Sequence, residues 1–348
     1  MRLHSPIAVG VITAIAAAVM FGVSAPVIVW AGGGVGVLAT ACLLYAGAAL
    51  VGHCARLVRR DRTFTLGRAD VPRLLAIAAF GSAIAPTLLV VGLQRAGALT
   101  GSLLLNLEAV FTVLLAVVIR REVIGGRVWL AVTLMASGGA ALSLDAAARG
   151  GGGVIGAVAV IGATLAWAVD NNLTQPLSER HPFDVVAVKA SLGAAVTGAL
   201  AVILGEPWPA LRYVIALGVC GALANGVSLA LYILAQRRIG AARTGSVFAL
   251  APFIGAVVAW LAGERAFGLW AIAAVALFIL GVVLHLTEQS RSSHHHVALT
   301  HEHVHRHDDG DHTHAHDPPF RGEHSHVHDH LAVDHDHDGD PSRAHESA

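Results

Sequence analysis

Nearly all of residues 1–290 consists of long apolar runs divided by very short polar breaks. Such a chain must satisfy its backbone hydrogen bonds in a medium without water, and runs of this length do so as membrane-spanning helices. Ten runs are read, at residues 7–29, 33–54, 74–94, 99–119, 127–145, 154–174, 184–204, 212–234, 244–262 and 268–287. Most hold about 20 residues, enough to cross a hydrocarbon core about 30 Å thick at ~1.5 Å per residue. A soluble helix of that length would carry a polar stripe, and these runs carry none. The first run is too long for a signal-peptide core and lacks a convincing cleavage site after it, so it is expected to stay in the chain. Cys42, Cys54 and Cys220 lie in or at the ends of runs and form no CxxC pair, so they read as packing residues.

One stretch occurs twice. Residues 97–122 read GALTGSLLLNLEAVFTVLLAVVIRRE and residues 240–264 read GAARTGSVFALAPFIGAVVAWLAGE. Each contains a Thr-Gly-Ser triplet, Thr100-Gly101-Ser102 and Thr244-Gly245-Ser246, and each ends on an acid, Glu122 and Glu264. With the triplets aligned, Glu108 of the first copy stands where Pro252 stands in the second. A repeat of membrane-spanning elements on this scale is the mark of transporters, which place a substrate site between two related halves.

The formal net charge of zero hides two unlike parts. Up to Glu288 there are 19 basic and 11 acidic side chains, whereas the remainder has 4 arginines against 12 acids. Arginine outnumbers lysine 22 to 1, a hint of a GC-rich bacterial genome. With the N-terminus inside, the inner segments hold fifteen arginines and the outer loops only Arg95, Arg149, Arg212 and Arg265. This bias predicts cytoplasmic termini on a bacterial inner-membrane protein. Five spans per half is an odd number, so the second half enters from the opposite side, giving an inverted repeat jointed at the glycines of 150–153. The predicted fold is an all-α membrane protein of ten helices in two inverted five-helix repeats, residues 5–149 and 150–288. A tail at 289–348 follows.

The ten-span length, the half-and-half repeat and the segment FALAPFIGAVVAWLAGE with its weaker counterpart in the fourth span carry a resemblance over about residues 5–288. The chain resembles the drug/metabolite transporter superfamily, specifically its ten-helix permeases with two EamA repeats. That resemblance implies alternating access, a small metabolite or drug-like solute, and transport in the direction of export. Relatives of this kind often have proline in the fourth span, where this chain has Glu108.

Glu108 sits near the middle of its span, where an ionised acid costs about 2.5–3.5 kcal/mol on insertion scales. It must face a cavity, pair with a cation or be protonated. On a helical wheel it shares a face with Gly101 and Thr112, which suits a cavity wall, and reads either as a proton- or cation-coupling group or as hydrogen-bonding glue. Asn106 points almost oppositely, toward an adjacent helix. In the sixth span Trp167, Asp170, Asn171 and Thr174 share one broad side, with Asn172 beside them. They read as a cavity wall, Asp170 recognising a cationic group, or as a helix end entering the interface. Lys189, the only lysine, either snorkels to the interface or pairs with Asp170 or Glu108. Asn225 in the eighth span is a candidate substrate contact. His53 and His285 read as interfacial. Glu122 and Glu264 lie beside Arg121 and Arg265, where orientation, packing or gating explains them equally. Gly101 and Gly245 are expected to let helices approach closely at the repeat interface. No GxxxxGK[ST], GxSxG or HExxH sequence occurs, so the chain is not expected to be an enzyme or an ATP-driven pump.

From His294 onward, seventeen histidines crowd about fifty residues. Beyond His294-His295-His296 they alternate, as His301, His303, His305 and His307; His312, His314 and His316; His324, His326, His328 and His330; and His335 and His337. Interspersed aspartates and glycines cannot build a core, so disorder is expected. In an extended chain each HxH presents two imidazoles together, a site for Zn²⁺, Ni²⁺, Co²⁺ or Cu²⁺. The tail could serve as metal collector, as pH sensor with a side-chain charge moving from −8 to +9, or as a solvating segment. A transition-metal exporter is therefore the alternative function, and a metal-sequestering membrane anchor a third. Expected partners are the lipid bilayer, a small solute, divalent metal at the tail and a second copy in a homodimer. Nucleic acid is not expected, and no cofactor is required.

Overall fold

Helices occupy the apolar runs because only they close every backbone hydrogen bond within one segment. The computed structural model describes residues 6–58, 66–121, 124–150, 152–174, 177, 180–265 and 268–289, with 294–296, 299–305, 324–330 and 333–335 beyond them. Nine described helices are long and apolar enough to cross a membrane: α1 (Ala8–Gly32), α2 (Val37–Val58), α3 (Arg68–Leu104), α5 (Gly126–Arg149), α6 (Gly153–Thr174), α7 (Pro182–Ile203), α8 (Leu211–Ile239), α9 (Arg243–Leu261) and α10 (Leu269–Thr287). A shorter apolar helix, α4 (Leu107–Ile119), lies between α3 and α5.

The expected third and fourth spans, 74–94 and 99–119, are both present, and they are divided at Gly97. Gly97, with φ 83° and ψ 165°, breaks α3. Beyond the break the chain folds back, since a Cβ on Gly101 would touch the side chain of Leu93. A continuous helix would separate those two residues by about 12 Å along its axis. The fourth pass is thus residues 98–104 followed by α4, with a turn at residues 105–106 between them. The ninth pass has the same turn 144 residues on, at residues 249–250. There Pro252 explains it, because proline lacks the N–H that would continue the ladder and crowds the carbonyl four residues back. In the fourth pass Asn106 does a similar job by another means. Its Nδ2 donates at 2.8 Å to the Leu103 carbonyl, which also accepts the Asn106 backbone N–H at 3.2 Å, so one residue closes the turn with both of its donors. Asn106 therefore bonds within its own pass, correcting the expectation of a bond to an adjacent helix.

Wide, π-helical turns recur at the same offset, at Ala78–Ile84 in α3 and Ala222–Val227 in α8. Across the halves α1 packs on α8, α2 on α7 and α3 on α6. The glycine expectations hold unevenly. Gly101 meets Leu93 of its own half, with Val160 of α6 at 3.8 Å from its built Cβ, whereas Gly245 has nothing within 4 Å. The fold-back at Gly97 is what brings Leu93 over Gly101.

Residues Met1–His285 form one compact unit and Leu286–Ala348 a second. No helix is described in the tail beyond Gln289. Where composition predicts no regular structure, its described residues form short antiparallel ladders, His294–His296 with Val333–His335 and Leu299–His305 with His324–His330. Alternation of histidine with other residues is a period of two, which an extended strand accommodates. His301, His303, His305, His324, His326, His328, His330 and His335 lie on these strands. His307, His312, His314, His316 and His337 lie outside the described residues.

Candidate functional site: a central cavity flanked by an acid–amide pair and an ion pair

The wide turn in α3 creates the first functional feature. In this segment the ladder runs over five residues, as when the Ala85 N–H bonds the Phe80 carbonyl. The next carbonyl, that of Gly81, would look to residue 86, and Pro86 has no N–H to give. A freed carbonyl inside a membrane protein requires another donor. Gly81 has two: the Tyr45 hydroxyl of α2 at 2.6 Å and the Trp167 indole N–H of α6 at 3.1 Å.

Tyr45 and Trp167 are also walls of a small cavity between the halves. Phe21 and Ser24 of α1, Leu105 at the turn of the fourth pass and Asn225 of α8 line it too. Asn225 stands in the second wide turn, 144 residues after Gly81. Its placement there is what brings an amide to a cavity otherwise mostly aliphatic and aromatic. Tyr45, Gly81 and Ser24 were not singled out from sequence. Tyr45 could have been noticed as one of only three tyrosines, set within an apolar run.

One helical turn beyond the cavity, on each of two helices, lies the first polar pair. Glu108 follows Leu105 by three residues and Asn171 follows Trp167 by four. The Asn171 Nδ2 donates to Glu108 Oε1 at 2.7 Å, joining α4 to α6. A further step along, the Asn172 Nδ2 donates to the Thr112 carbonyl at 3.3 Å and to the Ala168 carbonyl at 2.9 Å. The Thr112 hydroxyl oxygen is buried and has no hydrogen-bond partner among the described residues. Among those residues Glu108 has no lysine, arginine or histidine within ion-pairing distance, and its side chain accepts a hydrogen bond from the Asn171 amide.

The second pair is charged. Lys189 of α7 donates to Asp170 Oδ2 at 2.7 Å, with the aspartate side chain 4 % and the lysine 18 % exposed. Of the two readings of Lys189, the structure has the ion pair and not the interfacial side chain. Thr174 donates to the other carboxylate oxygen of Asp170 at 3.2 Å. The cationic group facing Asp170 is thus a side chain of the protein. A Cβ on Gly81 would collide with this carboxylate, so the residue whose carbonyl holds Tyr45 and Trp167 must also lack a side chain for Asp170 to fit.

Other singled-out residues lie elsewhere. His53 shares a hydrogen bond of 2.9 Å with Ser191. Arg265 lies over the Trp260 ring at 5.1 Å from its centroid. Glu122 lies outside the described residues. Glu206 accepts from the Ala39 N–H at 3.0 Å at the start of α2, a role not read from sequence. Among the described residues no group of three or more His, Cys, Asp or Glu side chains is arranged to hold a metal ion.

These features define a multi-pass membrane protein whose passes share recurring turns about a central cavity. A model of the EamA-like transporter family matches residues 8–144 and again residues 154–287, and the chain belongs to that family. An uncharacterized transporter of Methanothermobacter thermautotrophicus (strain Delta H) is 32% identical over 202 residues. That match covers 56% of this chain and 58% of the relative, so the chain spans less than two thirds of the relative's length. A protein of known crystal structure has a TM-score of 0.59 at 20% identity, covering 79% of this chain and 94% of the other, a likeness of fold.

Proposed function

We propose that this chain moves a small organic solute across a bacterial inner membrane by alternating access, in the direction of export. The cavity carries this reading. Its polar members are the hydroxyl oxygens of Ser24 and Tyr45, which can still accept, and the amide of Asn225, set among aliphatic and aromatic side chains. Such a lining suits a solute with an apolar body and one or two hydrogen-bonding groups. A bare divalent cation would require carboxylate or imidazole ligands, and the cavity lining holds neither.

Glu108 is the proposed coupling group. An acid at that depth, hydrogen-bonded by Asn171 and in no ion pair among the described residues, is suited to take up and release a proton as the two halves move. Asp170 and Lys189 offset each other's charge and hold α6 to α7, keeping Trp167 and Asn171 in position. With the arginine-rich ends cytoplasmic, the Glu108–Asn171 pair lies on the cytoplasmic side of the cavity.

The histidine tail supports a second activity beside the first, binding of Zn²⁺, Ni²⁺, Co²⁺ or Cu²⁺ at the cytoplasmic face. Cells producing the intact chain, the chain ending at Ser293 or the Glu108→Gln variant separate the readings. Efflux of labelled amino acids and metabolites is expected from the first two and strongly reduced from the third. Metal tolerance that follows Glu108 instead would establish the metal-export alternative and overturn the organic-solute reading.

A further inference from the structure

The exit of α9 and the start of the fourth pass meet across the two halves. Glu264 Oε1 accepts from the Ala98 N–H at 3.0 Å, and Oε2 accepts from the Leu99 N–H at 2.9 Å. Both donors lie in the first turn after the Gly97 break, where a helix has no acceptor of its own to offer them. A carboxylate there gains charge-assisted hydrogen bonds and a favourable helix dipole.

Two glycines make the contact possible. Gly97 takes φ 83° to start the new helix, and Gly263 takes φ 112° to turn the chain out of α9 immediately before Glu264. A Cβ on Gly97 would lie 2.8 Å from Glu264 Oε2, so the position is restricted in space as well as in backbone angle. On its other flank the same turn is held by Arg149 of α5, whose Nη2 donates to Thr100 Oγ1 at 2.8 Å and lies 3.0 Å from Asp145 Oδ2. Thr100, from the repeated Thr-Gly-Ser triplet, is fully buried.

The two restraints differ in origin. Arg149 belongs to the same half as Thr100 and travels with it. Glu264 belongs to the other half, so its two bonds must part if the halves separate at this mouth, the arginine-poor one. We propose that Glu264 is a positioning residue that latches the arginine-poor mouth shut, by holding from the opposite half the start of the pass that carries Glu108. Release of both backbone N–H groups is the step that opens the cavity to that face. This rests on the alternating-access reading for its purpose, but its test requires no solute.

The test uses the full chain in lipid vesicles, with Cys42, Cys54 and Cys220 changed to alanine and Ser24→Cys placed in the cavity as reporter. A membrane-impermeant maleimide is added to one face at a time. Glu264→Gln is expected to raise the labelling rate from the arginine-poor face about tenfold, the change that loss of one charge-assisted hydrogen bond produces. The rate from the arginine-rich face should not rise. Gly97→Ala, which leaves Glu264 in place but denies its carboxylate the space, should act in the same direction and serves if the glutamine variant does not fold. An unchanged rate, or an equal rise at both faces, would overturn the proposal, the latter showing general loosening. Absence of transport with intact latch behaviour would instead count against the functional reading alone.

Discussion

Asn171 donates its side-chain N–H to Glu108 at 2.7 Å, tying together two helices from different halves one turn beyond the cavity that their neighbours Trp167 and Leu105 line. Asn171 is exposed while Glu108 is half-buried. Removing the donor leaves the acid without its amide. A hydrogen bond to a charged group contributes about 1.5–3 kcal/mol, so Asn171→Ala should shift any equilibrium that depends on ionised Glu108 by at least about tenfold. The pH dependence of solute movement in vesicles reads this directly. A profile displaced from that of the wild-type chain is expected, and an unmoved profile would detach Asn171 from the coupling step.

The Asp170–Lys189 pair gives a stability prediction. Truncating one partner of a buried ion pair costs about 3–5 kcal/mol, because the other charge remains uncompensated. Lys189→Ala should therefore lower the thermal unfolding midpoint of the detergent-solubilised protein markedly. Lys189→Met combined with Asp170→Asn should recover much of that loss. A double variant as unstable as the single one would mean that the pair contributes through packing and not through charge.

Gly81 makes a steric prediction. Its carbonyl accepts from Tyr45 and Trp167, while a Cβ added to it would meet the Asp170 carboxylate. Gly81→Ala should force Asp170 aside at a cost typical of overpacking, about 1–3 kcal/mol, and disturb both pairs at once. Tyr45→Phe removes only one donor from a carbonyl that keeps another, so its cost should stay near ~1 kcal/mol. Unfolding midpoints of the two variants rank these effects, and a larger loss for Tyr45→Phe would contradict the arrangement.

For the tail, equilibrium dialysis with Zn²⁺ or Ni²⁺ should show binding by the intact chain that disappears when the chain ends at Ser293. Imidazoles bind metal only when neutral and protonate near pH 6–7, so bound metal should be released as pH falls through that range. Retention of metal by the shortened chain would place the site in the membrane unit instead.

The helices, their repeat and the intramembrane placing of Glu108, Asp170 and Asn171 were legible in the sequence because charge and amide groups are costly in lipid and stand out against apolar runs. Their pairings were not. Asn171 and Glu108 are 63 residues apart, and from sequence Lys189 could reach the interface, Asp170 or Glu108. The Gly81 carbonyl was harder to find, since Pro86 signals a freed carbonyl but its donors, Tyr45 and Trp167, come from other helices. Glu264 was seen as an acid at a helix end. That it caps a helix of the other half depends on Gly97 adopting a positive φ, which sequence permits but does not require.

In the proposed mechanism, solute passes through the cavity between the halves under control of Glu108. Vesicles containing the wild-type chain, Trp167→Ala or Glu108→Gln, loaded with a labelled mixture of amino acids and small metabolites, test it most directly under an imposed pH gradient. The wild-type chain should release at least one component faster with the gradient than without it. Trp167→Ala should release little under either condition, and Glu108→Gln should retain exchange of that component while losing its response to the gradient. A gradient response in Glu108→Gln equal to that of the wild-type chain would contradict the account.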